Sequence, residues 1–225
     1  MNRTASASNP SRVNGSPRQR KEVTQRVLVV SEGTVTEPAY FNLLRRELEP
    51  RLGLAIKVQP KENANAKRNT DPLSIVNECK RLRDKDRQEN SGSARDVLPF
   101  VACFAIVDVD DYDKGNSSPL KRAAKLAEEE NITLLITNKK FETWLVWHSD
   151  KAVQPKPESR ALSKQCEDLR LLSGKKRKKL SSDFPITNYD QAVTRAMKTE
   201  HVKAGQVGQN PSSAMPVFFQ MLERL

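Results

Sequence analysis

The sequence predicts an α/β protein, a mostly parallel sheet flanked by helices with a helical C-terminal portion, and three observations lead there. Strand-like and helix-like segments alternate over the first 137 residues, a pattern that builds parallel βα units with right-handed crossovers. The strand segments are unbroken apolar runs rather than one-in, one-out alternations, as expected where helices cover both faces of a sheet. Acidic residues stand directly after two of these runs, at the strand ends where open α/β sheets place their ligands.

The elements follow in order. Residues 1–25 are rich in Ser, Asn, Pro, Gly and Arg and read as a disordered basic tail, either a solvated leader or a nucleic-acid arm. Arg26-Val-Leu-Val-Val-Ser31 is a buried strand ending at Glu32-Gly33. A helix begins at Thr36, with Thr36 as its N-cap, Pro38 in its first turn and Tyr40, Phe41, Leu43, Leu44 and Leu48 at helical spacing. Leu54 to Val58 is the second strand and Lys61 to Asn69 a polar loop. Asp71-Pro72 opens a helix expected to dissolve in the charged stretch from Arg83 to Ser93. Phe100 to Val107 is long and apolar enough for the centre of a sheet, Pro119 to Glu130 is helical, and Ile132 to Ile136 is the fourth strand. Beyond it the spacing predicts helices over Phe141–Trp147, Ser159–Leu172, Tyr189–Thr199 and Ser212–Leu225, with a basic loop, Gly174-Lys-Lys-Arg-Lys-Lys-Leu180, between the second and third. The expected organisation is a tail (1–25), an α/β catalytic domain (26–150) and a helical portion (151–225) packed on or extending that domain.

Composition excludes several classes. With 39 Lys and Arg against 28 Asp and Glu the net charge is +11, so a polyanion is the first partner to consider. No run of about 18 apolar residues occurs and the first residues lack an apolar signal core, so the expectation is a cytoplasmic protein without a membrane partner. Cys79, Cys103 and Cys166 are odd in number and far apart, which suits reduced thiols rather than a disulfide framework or a CxxC metal pair. Two histidines are too few for a His-rich metal site, so any metal should be hard and held by carboxylates. Neither GxxxxGK[ST], GxGxxG nor GxSxG occurs, which leaves no phosphate-binding loop for ATP, no dinucleotide turn and no nucleophile elbow.

Glu32 closes the first strand, and Asp108, Asp110 and Asp111 follow the third. Asp108 and Asp110 project to the same side of an extended segment, so they can share one cation. Clustered carboxylates raise one another's pKa unless a divalent ion is present. Mg²⁺ suits such a site, with Mn²⁺ as a substitute, because it takes oxygen ligands and keeps waters that a phosphodiester oxygen can displace. Taken singly, a solvated or capping glutamate and a polar Asp turn account for either motif; at the ends of two apolar strands, a cation site is the stronger reading. The spacing of a calcium-binding EF-hand is absent.

These residues carry a resemblance. A strand ending in Glu-Gly and a later one ending in Asp-x-Asp resemble the Toprim catalytic fold of topoisomerases, bacterial primases and OLD-family nucleases. Val29-Val-Ser-Glu32-Gly33-Thr-Val-Thr36-Glu37-Pro38-Ala-Tyr40-Phe41 is similar to the opening motif of the RloB family. Val107-Asp108-Val-Asp110-Asp111-Tyr112, Thr137-Asn138-Lys-Lys-Phe141-Glu142-Thr-Trp144-Leu-Val-Trp-His148 and Asn210-Pro211-Ser212-Ser213 agree with that family in the same order. The resemblance implies a Toprim-like, Rossmannoid sheet and a metal-dependent nuclease of bacterial anti-phage or abortive-infection defence. It also implies a separate ABC- or AAA-type ATPase as partner and nucleic acid, DNA or RNA including tRNA, as substrate. Glu32 would be the acid/base or first metal carboxylate, Asp108 and Asp110 the Mg²⁺ ligands, and Asp111, Glu37 and Glu142 further metal carboxylates. Glu37 also reads as a first-turn glutamate favoured by the helix dipole, and Glu142 as a buried charge paired with a lysine or arginine. Where the family usually reads Asn-Pro-x-Phe-Glu this chain has Lys139, which predicts a less rigid loop. Lys139, Lys140, Lys175, Lys176, Arg177, Lys178 and Lys179 would contact phosphates. Trp144, Trp147 and His148 read as packing residues. A non-cleaving binding or sensor subunit of an ATPase complex is the alternative function.

Overall fold

The computed structural model describes residues 22–62, 70–90, 97–110, 118–174 and 178–225. The expected basic tail lies almost wholly outside the described residues, as do most of the loop after the second strand, Asp111, and Lys175, Lys176 and Arg177. A five-stranded sheet has the order β2-β1-β3-β4-β7, formed by β1 (Gln25–Ser31), β2 (Leu54–Gln59), β3 (Phe100–Asp108), β4 (Thr133–Asn138) and β7 (Ser212–Ser213). β1 pairs with β2 and β3 in parallel, β3 with β4 in parallel, and β7 antiparallel to β4. A separate two-stranded hairpin joins β5 (Leu172–Ser173) to β6 (Lys179–Leu180).

The apolar runs behave as strands covered on both faces should. In β1, Val27 and Val29 enter one apolar cluster while Leu28 and Val30 enter the other. In β3, Phe104 and Ile106 separate in the same way from Cys103, Ala105 and Val107. α1 (Thr36–Leu52) covers the first face together with α4 (Glu142–Val146), α5 (Ser159–Asp168), α6 (Tyr189–Thr199) and α7 (Met215–Leu222). α2 (Pro72–Asn90) and α3 (Pro119–Glu129) cover the second. The C-terminal elements therefore share a core with the sheet: Trp144, Trp147 and Phe218 are fully buried in the cluster that also holds Tyr40 and Phe41 of α1.

The order of the strands positions the site. From β1 the chain crosses to β2 on one side, and from β3 to β4 on the other. The C-terminal ends of β1 and β3 thus flank a topological switch point, where the flanking connections diverge and leave a crevice.

Several elements differ from expectation, each for a tertiary reason. α2 does not dissolve at Arg83 but runs to Asn90. Two of its charged residues, Arg83 and Asp86, are buried and paired across long distances: Arg83 Nη2 lies 2.8 Å from Glu130 Oε2, and Arg26 Nη2 lies 3.0 Å from Asp86 Oδ1. Thr36 is not a cap, because the N-cap is Val35 and makes no side-chain bond. Leu172 belongs to β5 rather than to the preceding helix, and Lys179 and Leu180 form β6 rather than part of a plain loop between helices. Ser212 and Ser213 form the antiparallel edge strand, whose Ser213 hydroxyl is 2.9 Å from that of Thr137, and the last helix starts only at Met215.

Candidate functional site

At the switch point the chain forms a cavity of about 320 Å³ lined by Glu32, Glu37, Asp108, Asp110 and Glu142, together with Lys140 and Lys178. Each carboxylate has a separate structural origin. Glu32 is the first residue beyond β1, and its N–H donates to the Ile106 carbonyl of β3 at 3.1 Å, which keeps it in the ladder. Its Oε2 accepts from the Asp108 backbone N–H at 3.4 Å, joining the ends of the two strands. Asp108 ends β3 in register with Thr137 of β4. Asp110 follows with φ 38°, a left-handed conformation that Asp tolerates better than most side chains.

Glu37 sits in the first turn of α1 and turns back over the Glu-Gly loop, where its Oε1 accepts from the Gly33 N–H at 3.2 Å. Only 8% of Glu37 is exposed. A Cβ on residue 33 would lie within 2.5 Å of the Glu37 carboxyl carbon. The glycine of Glu32-Gly33 thus leaves room for the close approach of a carboxylate rather than supplying a positive φ. Glu142 enters from the start of α4, on a loop held at both ends: Asn138 Nδ2 donates to the Gly208 carbonyl at 2.8 Å, and the Thr143 N–H to that of Lys140 at 2.8 Å.

The electrostatics follow from crowding acids into a shielded space. Burial raises the Glu32 carboxyl from 4.5 to about 7, with Asp110 and Glu37 adding repulsion, while the Asp108 N–H and Lys178 act in the opposite sense. Burial likewise brings Glu37 to about 7, Glu142 raises it further, and the Gly33 N–H and Lys178 oppose the rise. Asp108 is pushed well above its ordinary range, first by burial and then by Glu37, Glu32, Glu142 and Asp110. Among the described residues, none of Glu32, Glu37, Asp108 and Glu142 forms an ion pair with a lysine or arginine. Nor, among those residues, do three His, Cys, Asp or Glu side chains converge into a group that could hold a metal ion. The cavity is an acidic wall of hard oxygen donors. That suits an ion such as Mg²⁺, which is held through one or two carboxylates plus waters and substrate oxygens rather than by an all-protein cage.

Of the residues singled out from sequence, Glu32, Glu37, Asp108, Asp110, Glu142, Lys140 and Lys178 share this cavity, whereas Lys139 and Lys179 are not among its lining. Asp111, Lys175, Lys176 and Arg177 lie outside the described residues. His148 is fully buried, its Nε2 3.3 Å from the Tyr40 hydroxyl and its Nδ1 3.4 Å from the Pro185 carbonyl. Burial lowers its pKa to about 3, so it packs in its neutral form. Sequence reasoning missed Thr70, which lines the cavity just before α2. The available signal was topological: the connection leaving the C-terminal end of β2 starts at the same sheet edge.

The fold and site together define a class, an α/β protein whose parallel sheet carries an acidic cavity at its switch point. A family model described as RloB-like protein matches residues 27–222, and the chain belongs to this RloB-like family. No curated protein and no solved structure matches the chain significantly. No described helix is long and apolar enough to cross a membrane.

Proposed function

We propose that this protein is a Toprim-type nuclease that uses a divalent cation, Mg²⁺ or Mn²⁺, to hydrolyse phosphodiester bonds of a nucleic acid. The observation that carries the reading is the convergence of Glu32, Glu37, Asp108, Asp110 and Glu142 on one cavity at the ends of two adjacent parallel strands. An uncompensated acidic cavity is unfavourable for folding, and a scaffold has no need to assemble one. Asp108 and Asp110 would hold the ion, with Glu32, Glu37 and Glu142, which also line the cavity, completing its surroundings. When bound, such an ion offsets the charge that develops on the transferring phosphoryl oxygens. Glu32, whose carboxyl titrates near neutrality, is suited to take the proton of the attacking water or return one to the leaving oxygen. Lys140 and Lys178 at the cavity, with Lys175, Lys176 and Arg177 of the basic segment, supply sequence-independent attraction for the backbone.

The absence of a GxxxxGK[ST] motif from the sequence supports a division of labour with a separate ABC- or AAA-type ATPase, in a cytoplasmic anti-phage or abortive-infection system. The absence of a ready-made three-ligand cage among the described residues favours a second reading, a non-cleaving nucleic-acid-binding or sensor subunit of such a complex. Cleavage of labelled duplex DNA, single-stranded DNA and total RNA, with Mg²⁺, Mn²⁺ or EDTA, separates the two. Metal-dependent cutting abolished by Glu32→Gln and Asp108→Asn is the expected result. Nucleic-acid binding without cutting, alone and with the copurified ATPase, supports the second reading instead.

A further inference from the structure

One bond fixes Lys178 beside the acidic cavity. The Thr36 hydroxyl, in a residue only 6% exposed, donates to the backbone carbonyl of Lys178 at 2.7 Å, across 142 residues of chain. Two residues of the first turn of α1 are therefore engaged at once: Glu37 accepts from the Gly33 N–H, and Thr36 holds Lys178, the residue just before β6. Lys178 and Lys179 are both exposed, and their surroundings distinguish them: Lys179 pairs with Ser173 in the ladder and is not among the residues lining the cavity, and Leu180 after it is buried in the core beneath α1. Lys178 lines the cavity, and its charge reaches both Glu32 and Glu37.

A cavity walled by carboxylates repels the phosphodiester that it must admit, so a cation held at its mouth is needed beside any metal. We propose that Lys178 contacts the backbone phosphate at this cavity and that Thr36 is the positioning residue that holds it there, whereas Lys179 is a solvated surface charge. The assignment rests on the reading of the cavity as a nucleic-acid site and names the part of that site that seizes the substrate.

The test measures binding rather than cutting. Fluorescence anisotropy of short labelled DNA and RNA duplexes and single strands is recorded across a KCl series, with Ca²⁺ present, for the full chain and for Lys178→Met, Lys179→Met, Thr36→Val and Thr36→Ser. Loss of one phosphate contact should weaken binding of the preferred nucleic acid about tenfold and flatten the salt dependence of its duplex form by about 0.9. That result is expected for Lys178→Met. Thr36→Val should weaken binding in the same direction, Thr36→Ser should restore it, and Lys179→Met should leave affinity and slope near those of the unaltered protein. Equal losses for the two lysine variants, an unchanged Lys178→Met, or no nucleic-acid binding at all would overturn the assignment. Binding with this pattern, but no cleavage in Mg²⁺ or Mn²⁺ by the unaltered protein, would remove the nuclease reading and leave the Lys178 assignment standing.

Discussion

Replacing Glu37 by Gln should make the metal-free protein more stable, and only at high pH. Glu37 is 8% exposed and its carboxyl is raised from 4.5 to about 7 by burial and by Glu142. The folded state therefore holds a proton that the unfolded chain has already released, and stability falls as pH rises between these two values. Above pH 7 the buried charge costs its full amount, about 3 kcal/mol at 1.36 kcal/mol per pH unit. Glutamine keeps the shape, can still accept from the Gly33 N–H, which donates at 3.2 Å, and stands in for the protonated acid. The gain at high pH is up to about 3 kcal/mol, or roughly 6–12 °C in Tm for a chain of this size. Thermal unfolding in EDTA at pH 8 and pH 5 checks this. Glu37→Gln should melt higher at pH 8, and the gap should shrink to under about 1 kcal/mol at pH 5. A variant that melts lower than the parent at pH 8, or a gap independent of pH, would show that Glu37 is not a buried, repelled carboxylate. Mg²⁺ should narrow the gap by stabilising the parent more than the variant, and Glu37→Gln should cut nucleic acid poorly despite its stability, a trade-off common at active sites.

Other perturbations follow from the same geometry. Gly33→Ala places a methyl within 2.5 Å of the Glu37 carboxyl carbon, so it should lower both Tm and cleavage; adding Glu37→Ala should recover the Tm but not the activity. Asp110 has φ 38°, so Asp110→Ala should cost about 1–2 kcal/mol of stability, whereas Asp110→Asn should keep the Tm, with cleavage lost in both. Since Glu32 and Glu37 both titrate near 7, protons and cation compete for them. Adding Mn²⁺ in weak buffer should release protons at pH 6.5 and almost none at pH 8.5, followed with an indicator dye.

What was legible in the sequence was what local composition controls. β1 and β3 are buried on both faces, so they read as unbroken apolar runs, and the acids that end them could be placed at one sheet edge before any coordinates. Elements whose causes lie far away in sequence were not legible. α2 extends through a charged stretch because Arg83 meets Glu130 and Asp86 meets Arg26, pairings that no local propensity encodes. β5, β6 and β7 are two residues each, too short for a period to register. Thr36 looked like a cap because it starts a helix, yet its hydroxyl is claimed by Lys178, 142 residues away. Gly33 was visible as a turn glycine, but not its reason, the Glu37 carboxylate lying against it. Thr70 entered the cavity through topology alone.

The most direct test of the acidic cavity as a divalent-cation site is a calorimetric titration of Mn²⁺ into metal-free protein at pH 8, beside Glu32→Gln and Asp108→Asn. Saturable binding by the parent, lost or weakened by at least about tenfold in both folded variants, is expected. Binding of equal affinity and stoichiometry in all three proteins, or none in the parent with nucleic acid present, would contradict it.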